Sequence, residues 1–225
     1  MNKLFEKCKL FMKRATELKV SLVENSDPIL KQLSELKDFD DRVELAEEHW
    51  EKLGEGSART VFKISDDLII KIATSDKGLA QCQVESEFDL QAPCVATVVV
   101  ADPKGKWIIS HFTDTMTKDD FKKIIGYGFD NFMSCLFFAY NNESDQWEKE
   151  PKKYDEIRKL TLFKCLGSLV VSGSLLIGDI SKPSSFGLRN GKVLLRDYGL
   201  DKETWIKWYD DRSSSPSSSP PKTSS

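Results

Sequence analysis

A single lysine stands inside a run of β-branched residues, Leu68-Ile-Ile-Lys-Ile-Ala73. The run reads as a strand, entered through the short turn Ser65-Asp66-Asp67. An ammonium buried without a partner is costly. Lys71 therefore leaves the fold two choices. Either the strand lies at an edge where the side chain snorkels to water, or a carboxylate is packed against it. The next segment, Asp76 to Phe88, reads as a helix and offers Glu85 and Glu87. Glu85 is preferred, because Leu79, Cys82 and Phe88 mark a packed face beside it.

Upstream lies Leu53-Gly-Glu-Gly-Ser-Ala-Arg-Thr-Val61, a G-x-G-x-x-x-x-V turn leading into a strand at Thr60 to Ile64. Glycines let backbone close tightly, and free N–H groups in such a turn suit phosphate oxygens. The same spelling also serves ordinary strand–turn–strand connections. No Walker A sequence and no strand-then-helix dinucleotide fingerprint is present. Val95 to Val100 and Lys106 to Ser110 read as two further strands around the turn Asp102-Pro-Lys-Gly105.

The rest of the chain reads as mainly helical. Leu4, Cys8, Phe11, Ala15, Leu18 and Leu22 make one apolar stripe, and Ile29, Leu33 and Leu36 a second after Pro28. A third short helix opens at Asp40 and Asp41. Thr117 to Asp120 resembles a capping box opening a helix to about Phe138. Asn141 to Pro151 reads as a polar loop, and Tyr154 to Ser172 as one long helix running into an apolar strand. Asn190-Gly191 joins the strands Gly187 to Arg189 and Val193 to Arg196 as a hairpin. A last helix is expected at Asp201 to Tyr209, and the Ser- and Pro-rich residues 211–225 read as disordered.

Strands early and helices late imply an α+β fold, with a small sheet lobe before a helical lobe. Hydrophobic residues make up 40% of the chain, enough for a core. Lys and Arg number 33 against 36 Asp and Glu, a net charge of -3, which speaks against nucleic-acid binding by bulk charge. Cys165 to Gly178 is too short an apolar stretch to span a membrane, and Met1 to Leu10 has no signal-like apolar region. The five cysteines are widely spaced and read as reduced thiols of a cytoplasmic protein. With only His49 and His111 available, no Cys/His zinc site is expected.

Two aspartates complete the pattern. Asp179 lies in Ile177-Gly-Asp-Ile180, and Asp197 opens Asp197-Tyr-Gly after the second hairpin strand. Each is ordinary alone. Together they put two carboxylates at the mouths of neighbouring strands, where one accepts a proton from a hydroxyl and the other holds Mg²⁺. The order of Gly-rich hairpin, strand Lys, helix Glu, strand pair, two helices, loop Asp, hairpin and Asp-Tyr-Gly resembles the protein-kinase-like superfamily. Lys77-Gly-Leu-Ala-Gln81, Gly178-Asp179, Ser184-Ser-Phe-Gly187 and Asp197-Tyr-Gly-Leu200 look, more narrowly, like small kinase-like proteins of tailed bacteriophages.

Between the helical extension read at 1–52 and the Ser/Pro tail at 211–225, the resemblance implies a β-rich lobe and hinge at 53–113 and a reduced helical lobe at 114–210. It implies ATP and Mg²⁺ as cofactors. Gly54, Gly56, Ser57 and Val61 would cover the nucleotide, with Ser110 and Phe112 near the hinge. Lys71, held by Glu85, would bind phosphates; Asp179 would be the base, with Lys182 helping to neutralise the γ-phosphate. Asp197 would hold the metal, with Ser184 or Ser185 beside it. The departures are plain: Arg59 stands at the third glycine, Ile177 at the loop His, Ser184 at the loop Asn and Tyr198 at the Phe. No A-P-E segment follows Leu200. An ATP-dependent phosphotransferase acting on a host protein or small molecule is the first reading. A pseudokinase-like module binding a host or viral partner is the second.

Overall fold

The computed structural model describes residues 27–87, 92–140, 150–172 and 175–209. The stripe from Leu4 to Leu22, most of the polar loop at Asn141 to Pro151 and the Ser/Pro tail lie outside the described residues. The fold is α+β, with an antiparallel sheet and several helices.

Among the described residues two helices come first, α1 (Pro28–Glu35) and α2 (Phe39–His49). Asp27 caps α1 by accepting from the Ile29 amide, with Pro28 in the first turn, and Asp38 caps α2 by accepting from the Asp40 amide. Five strands follow: β1 (Glu51–Glu55), β2 (Arg59–Lys63), β3 (Leu68–Ala73), β4 (Val98–Ala101) and β5 (Trp107–His111). Their spatial order is β1-β2-β3-β5-β4, every pair antiparallel. Helix α3 (Asp76–Glu87) crosses between β3 and β4.

The period-two alternation of β3 decides what each face carries. Ile70 and Ile72 face α1 and α2, where they join Leu30, Leu33, Ala46, Phe62, Val100, Trp107 and Ile109 in one core. Lys106 and Trp107 hold this packing in place, donating to the Ser34 carbonyl and, at 3.0 Å, to the Ser34 hydroxyl. Ile69, Lys71 and Ala73 are left for the opposite face, where Ala73 meets Cys82 of α3.

The second lobe contains α4 (Lys118–Ile125), α5 (Phe129–Tyr140), α6 (Tyr154–Ile157) and α7 (Thr161–Val171), then β7 (Phe186–Arg189), β8 (Lys192–Leu195) and α8 (Lys202–Tyr209). A short β6 (Asp114–Thr115) pairs with β7 to make a three-stranded sheet. Phe121, Phe129, Phe132, Phe163 and Phe186 meet edge to face in its core. Each such fully buried ring contributes roughly 1.5–3 kcal/mol over exposure. The lobes join where Leu195 bonds the Cys94 carbonyl and accepts from the Ala96 amide, both at 2.7 Å.

Four expectations are corrected. The helix from Thr117 stops at Gly126, which takes a left-handed φ of 84° and closes α4; a new helix starts at Phe129. The helix from Tyr154 is also broken, at Leu160, whose extended backbone lets its side chain pack against the core. Residues 175–176, where a strand was expected, form no strand and 177–180 form a turn, so Asp179 stands on a loop rather than at a strand end. The cysteines are not all thiols either. Cys94 and Cys165, far apart in sequence, come within 6.1 Å Cα to Cα and form a disulfide, while Cys82 and Cys135 are free and buried. No helix among the described residues is long and apolar enough to cross a membrane.

Candidate functional site

A cleft of about 510 Å³ opens between the sheet lobe and the helical lobe. The β1–β2 hairpin roofs it with Gly54, Gly56, Ser57 and Val61. Ile69 and Phe112 add apolar wall, and Asp179, Ser184 and Asp197 line the opposite side. A side chain added at Gly54 would meet nothing within 4 Å, so the hairpin leaves open space on that side. Lys77 steadies the turn, donating to the Ser57 hydroxyl at 3.2 Å.

Lys71 is buried and points into this cleft from β3. Its ammonium donates to Glu85 Oε2 at 2.6 Å and to the Arg196 carbonyl at 2.6 Å. Glu85 is fully buried on α3 and is placed by a close approach one turn into that helix. A Cβ at Gly78 would lie 2.0 Å from the Ala58 carbonyl oxygen, so only glycine lets α3 run this near the hairpin. Tyr198 adds its amide to Glu85 Oε1 at 3.5 Å, and its hydroxyl donates to the Ala96 carbonyl at 2.9 Å. The hydroxyl that distinguishes Tyr198 from the usual Phe is thereby satisfied in the interior.

Arg59 is the residue the sequence reading treated only as a missing glycine. Its Nη1 donates to Glu85 Oε1 and its Nη2 to Asp197 Oδ1, both at 2.7 Å. The guanidinium side chain is only 9% exposed. Burial works against its charge, but Glu85 first and Asp197 next outweigh burial and hold its pKa above the ordinary value. The signal for this was strand register. Val61 faces Lys71 and Arg59 faces Ala73 across β2 and β3, so Arg59, Val61 and Lys71 share one face.

The two aspartates differ. Burial opposes the charged form of Asp197, yet Arg59, then Lys71 and Arg196, outweigh it and lower its pKa. Burial, and then the neighbouring charge of Asp197, push Asp179 up to about 6. A carboxylate near that value is suited to accept a proton near neutral pH. Asp197 is crowded by protein on the cleft wall, yet 61% of its side-chain surface still opens onto the cleft space.

Other sequence candidates are placed elsewhere. Ser185 is buried, and its hydroxyl donates to the Asp179 carbonyl at 3.2 Å, so it steadies the loop. Ser110 is buried within β5 and is not among the cleft-lining residues. Lys182 is exposed and also outside the lining, although its charge still acts on Asp179.

No protein-family model matches the chain, and no curated protein matches it. Among solved structures, the streptomycin–ATP–APH(2″)-IIa ternary complex is similar at 12% identity, over 73% of this chain and 71% of that one, with a TM-score of 0.32. SAICAR synthase from Saccharomyces cerevisiae complexed with SAICAR is similar at 11% identity, over 66% and 73%, with a TM-score of 0.29.

Proposed function

We propose that this chain binds ATP in the interlobe cleft and transfers the γ-phosphoryl group to a hydroxyl. The observation that carries the reading is Lys71. A buried ammonium held by Glu85 faces a cleft roofed by a glycine hairpin and floored by two aspartates whose pKa values are pushed apart. That arrangement has little use in a purely structural core, where burying ion pairs gives little net stability.

In this reading the hairpin amides and Lys71 hold the phosphates, and Val61, Ile69 and Phe112 enclose the base. Asp179 orients the acceptor hydroxyl and takes its proton. Catalysis of this kind is mostly positioning and electrostatics. The donor set fits a divalent cation shared with the nucleotide. Asp197 brings a carboxylate and Ser184 a hydroxyl, and no cluster of three or more His, Cys, Asp or Glu among the described residues forms an all-protein cage. Mg²⁺ bound there supplies neutralisation of charge on the phosphate oxygens. The kinase-like motifs support this reading, while the phage-like ones bear on origin more than on substrate. A host protein or small molecule is the acceptor class proposed.

One observation favours the second reading, a weakly active or inactive module that acts by binding a host or viral partner. Arg59 occupies an oxygen of the carboxylate that would ligate metal. Turnover of γ-labelled ATP separates the two. Phosphotransfer predicts release or transfer of label by wild type, lost in Asp179→Ala while ATP still raises the melting temperature. ATP binding without turnover in wild type supports the module. Turnover unchanged in Asp179→Ala contradicts the proposed base.

A further inference from the structure

The cleft holds a cation of its own at the carboxylate meant for metal. Arg59 and Lys71 lie on one face of adjacent strands, with Arg59 opposite Ala73 and Lys71 opposite Val61. Glu85 takes one bond from each, and Asp197 takes the other end of the guanidinium. Two positive groups thus face two negative ones, and the charge of Asp197 is already compensated by a fixed, nearly buried partner. A divalent ion arriving at Asp197 meets a positive charge beside it and one oxygen taken. A polyphosphate arriving at the same place meets two cations already paired with Glu85 and Asp197, so what it can take up is the N–H donors those pairs leave over. A guanidinium carries five N–H donors in a planar fork, so the two carboxylate bonds do not exhaust Arg59. It also lines the cleft directly.

We infer that Arg59 is a resident cation of the phosphate site, so that the triphosphate is held by Arg59 together with Lys71 and binding depends only weakly on divalent metal. The inference rests on the cleft being the ATP site. It deepens that reading by making a protein side chain do part of the charge neutralisation usually left to Mg²⁺. Arg59 is here a binding residue, and it also orients Asp197. It explains why an arginine can replace a glycine in the hairpin. The long side chain turns inward to Glu85 and Asp197 and leaves the space at Gly54 open.

Isothermal titration of the full chain with ATP, once in EDTA and once in saturating Mg²⁺, tests it. For wild type, removing metal weakens binding by less than about tenfold, because charge-assisted bonds from two fixed cations remain. For Arg59→Gln, binding in EDTA falls by roughly thirtyfold or more while binding in Mg²⁺ changes by only about threefold, since metal now reaches Asp197 unopposed. Arg59→Lys, which keeps the charge, stays close to wild type in EDTA. Wild-type affinity falling more than about tenfold in EDTA overturns the inference, and so does an Arg59→Gln protein that binds as well as wild type without metal. Both results leave the ATP site standing. Absence of ATP binding under either condition overturns the site and the inference together. Should Arg59→Gln fail to fold by circular dichroism, the wild-type ratio and Arg59→Lys decide alone.

Discussion

Replacing Glu85 by Gln probes the ion network where it is most enclosed. Glu85 is fully buried and serves Arg59 at 2.7 Å, Lys71 at 2.6 Å and the Tyr198 amide at 3.5 Å. Gln keeps the shape and removes the charge. Lys71, only 5% exposed, is then left with a carbonyl and a neutral amide. Breaking a buried pair by removing one partner costs about 3–5 kcal/mol. The lower end applies here, because Arg59 retains Asp197. A loss of about 3 kcal/mol is a large share of a typical 5–15 kcal/mol. At this chain length it lowers Tm by roughly 6–12 °C. Urea titration followed by circular dichroism reads the loss. The double variant Lys71→Met with Glu85→Gln removes both charges and should regain most of it, a coupling of about 2 kcal/mol or more. A Glu85→Gln loss under about 1 kcal/mol, or strictly additive single and double variants, would refute the reasoning.

Two further outcomes follow from single positions. Gly78→Ala gains up to about 1 kcal/mol of helix propensity, but its Cβ would stand 2.0 Å from a backbone oxygen that no rotamer can move. A net loss of about 1–3 kcal/mol is expected, and a raised Tm would contradict the close approach of α3 to the hairpin. Asp179 sits at about 6 in the folded chain against an ordinary 3.8, so between these values the folded state holds more proton than the unfolded state. Its contribution therefore turns against folding as pH rises through that window. Relative to Asp179→Asn, wild type should lose about 1 kcal/mol between pH 4 and 6.5 after allowing for solvent screening. Parallel pH–stability curves for the two proteins would remove the burial argument.

What was legible in the sequence were features that a local period carries. The lone Lys71 in a strand and Glu85 on the packed face of the next helix were enough to anticipate their pairing. The hairpin at Asn190-Gly191 followed from its turn residues, both at positive φ. Arg59 was harder, because its role depends on how β2 registers against β3 and on where Asp197 returns from far along the chain. The break at Gly126 was missed because the apolar pattern continues on either side of it. The disulfide between Cys94 and Cys165 joins residues that no spacing rule links. Ser185 and Ser184 are adjacent, yet one is spent on the Asp179 carbonyl while the other faces the cleft.

The claim on which the rest stands is that Lys71 meets the phosphates of a nucleotide in this cleft. A thermal melt with ATP on wild type and Lys71→Ala tests it most directly, since Arg59 still satisfies Glu85 in the variant. At ATP about 100 times above Kd, wild type should gain about 2.7 kcal/mol, or roughly 5–10 °C. Lys71→Ala should fold and lose more than half of that gain. No shift in wild type at millimolar ATP, or a full shift in Lys71→Ala, would contradict the account.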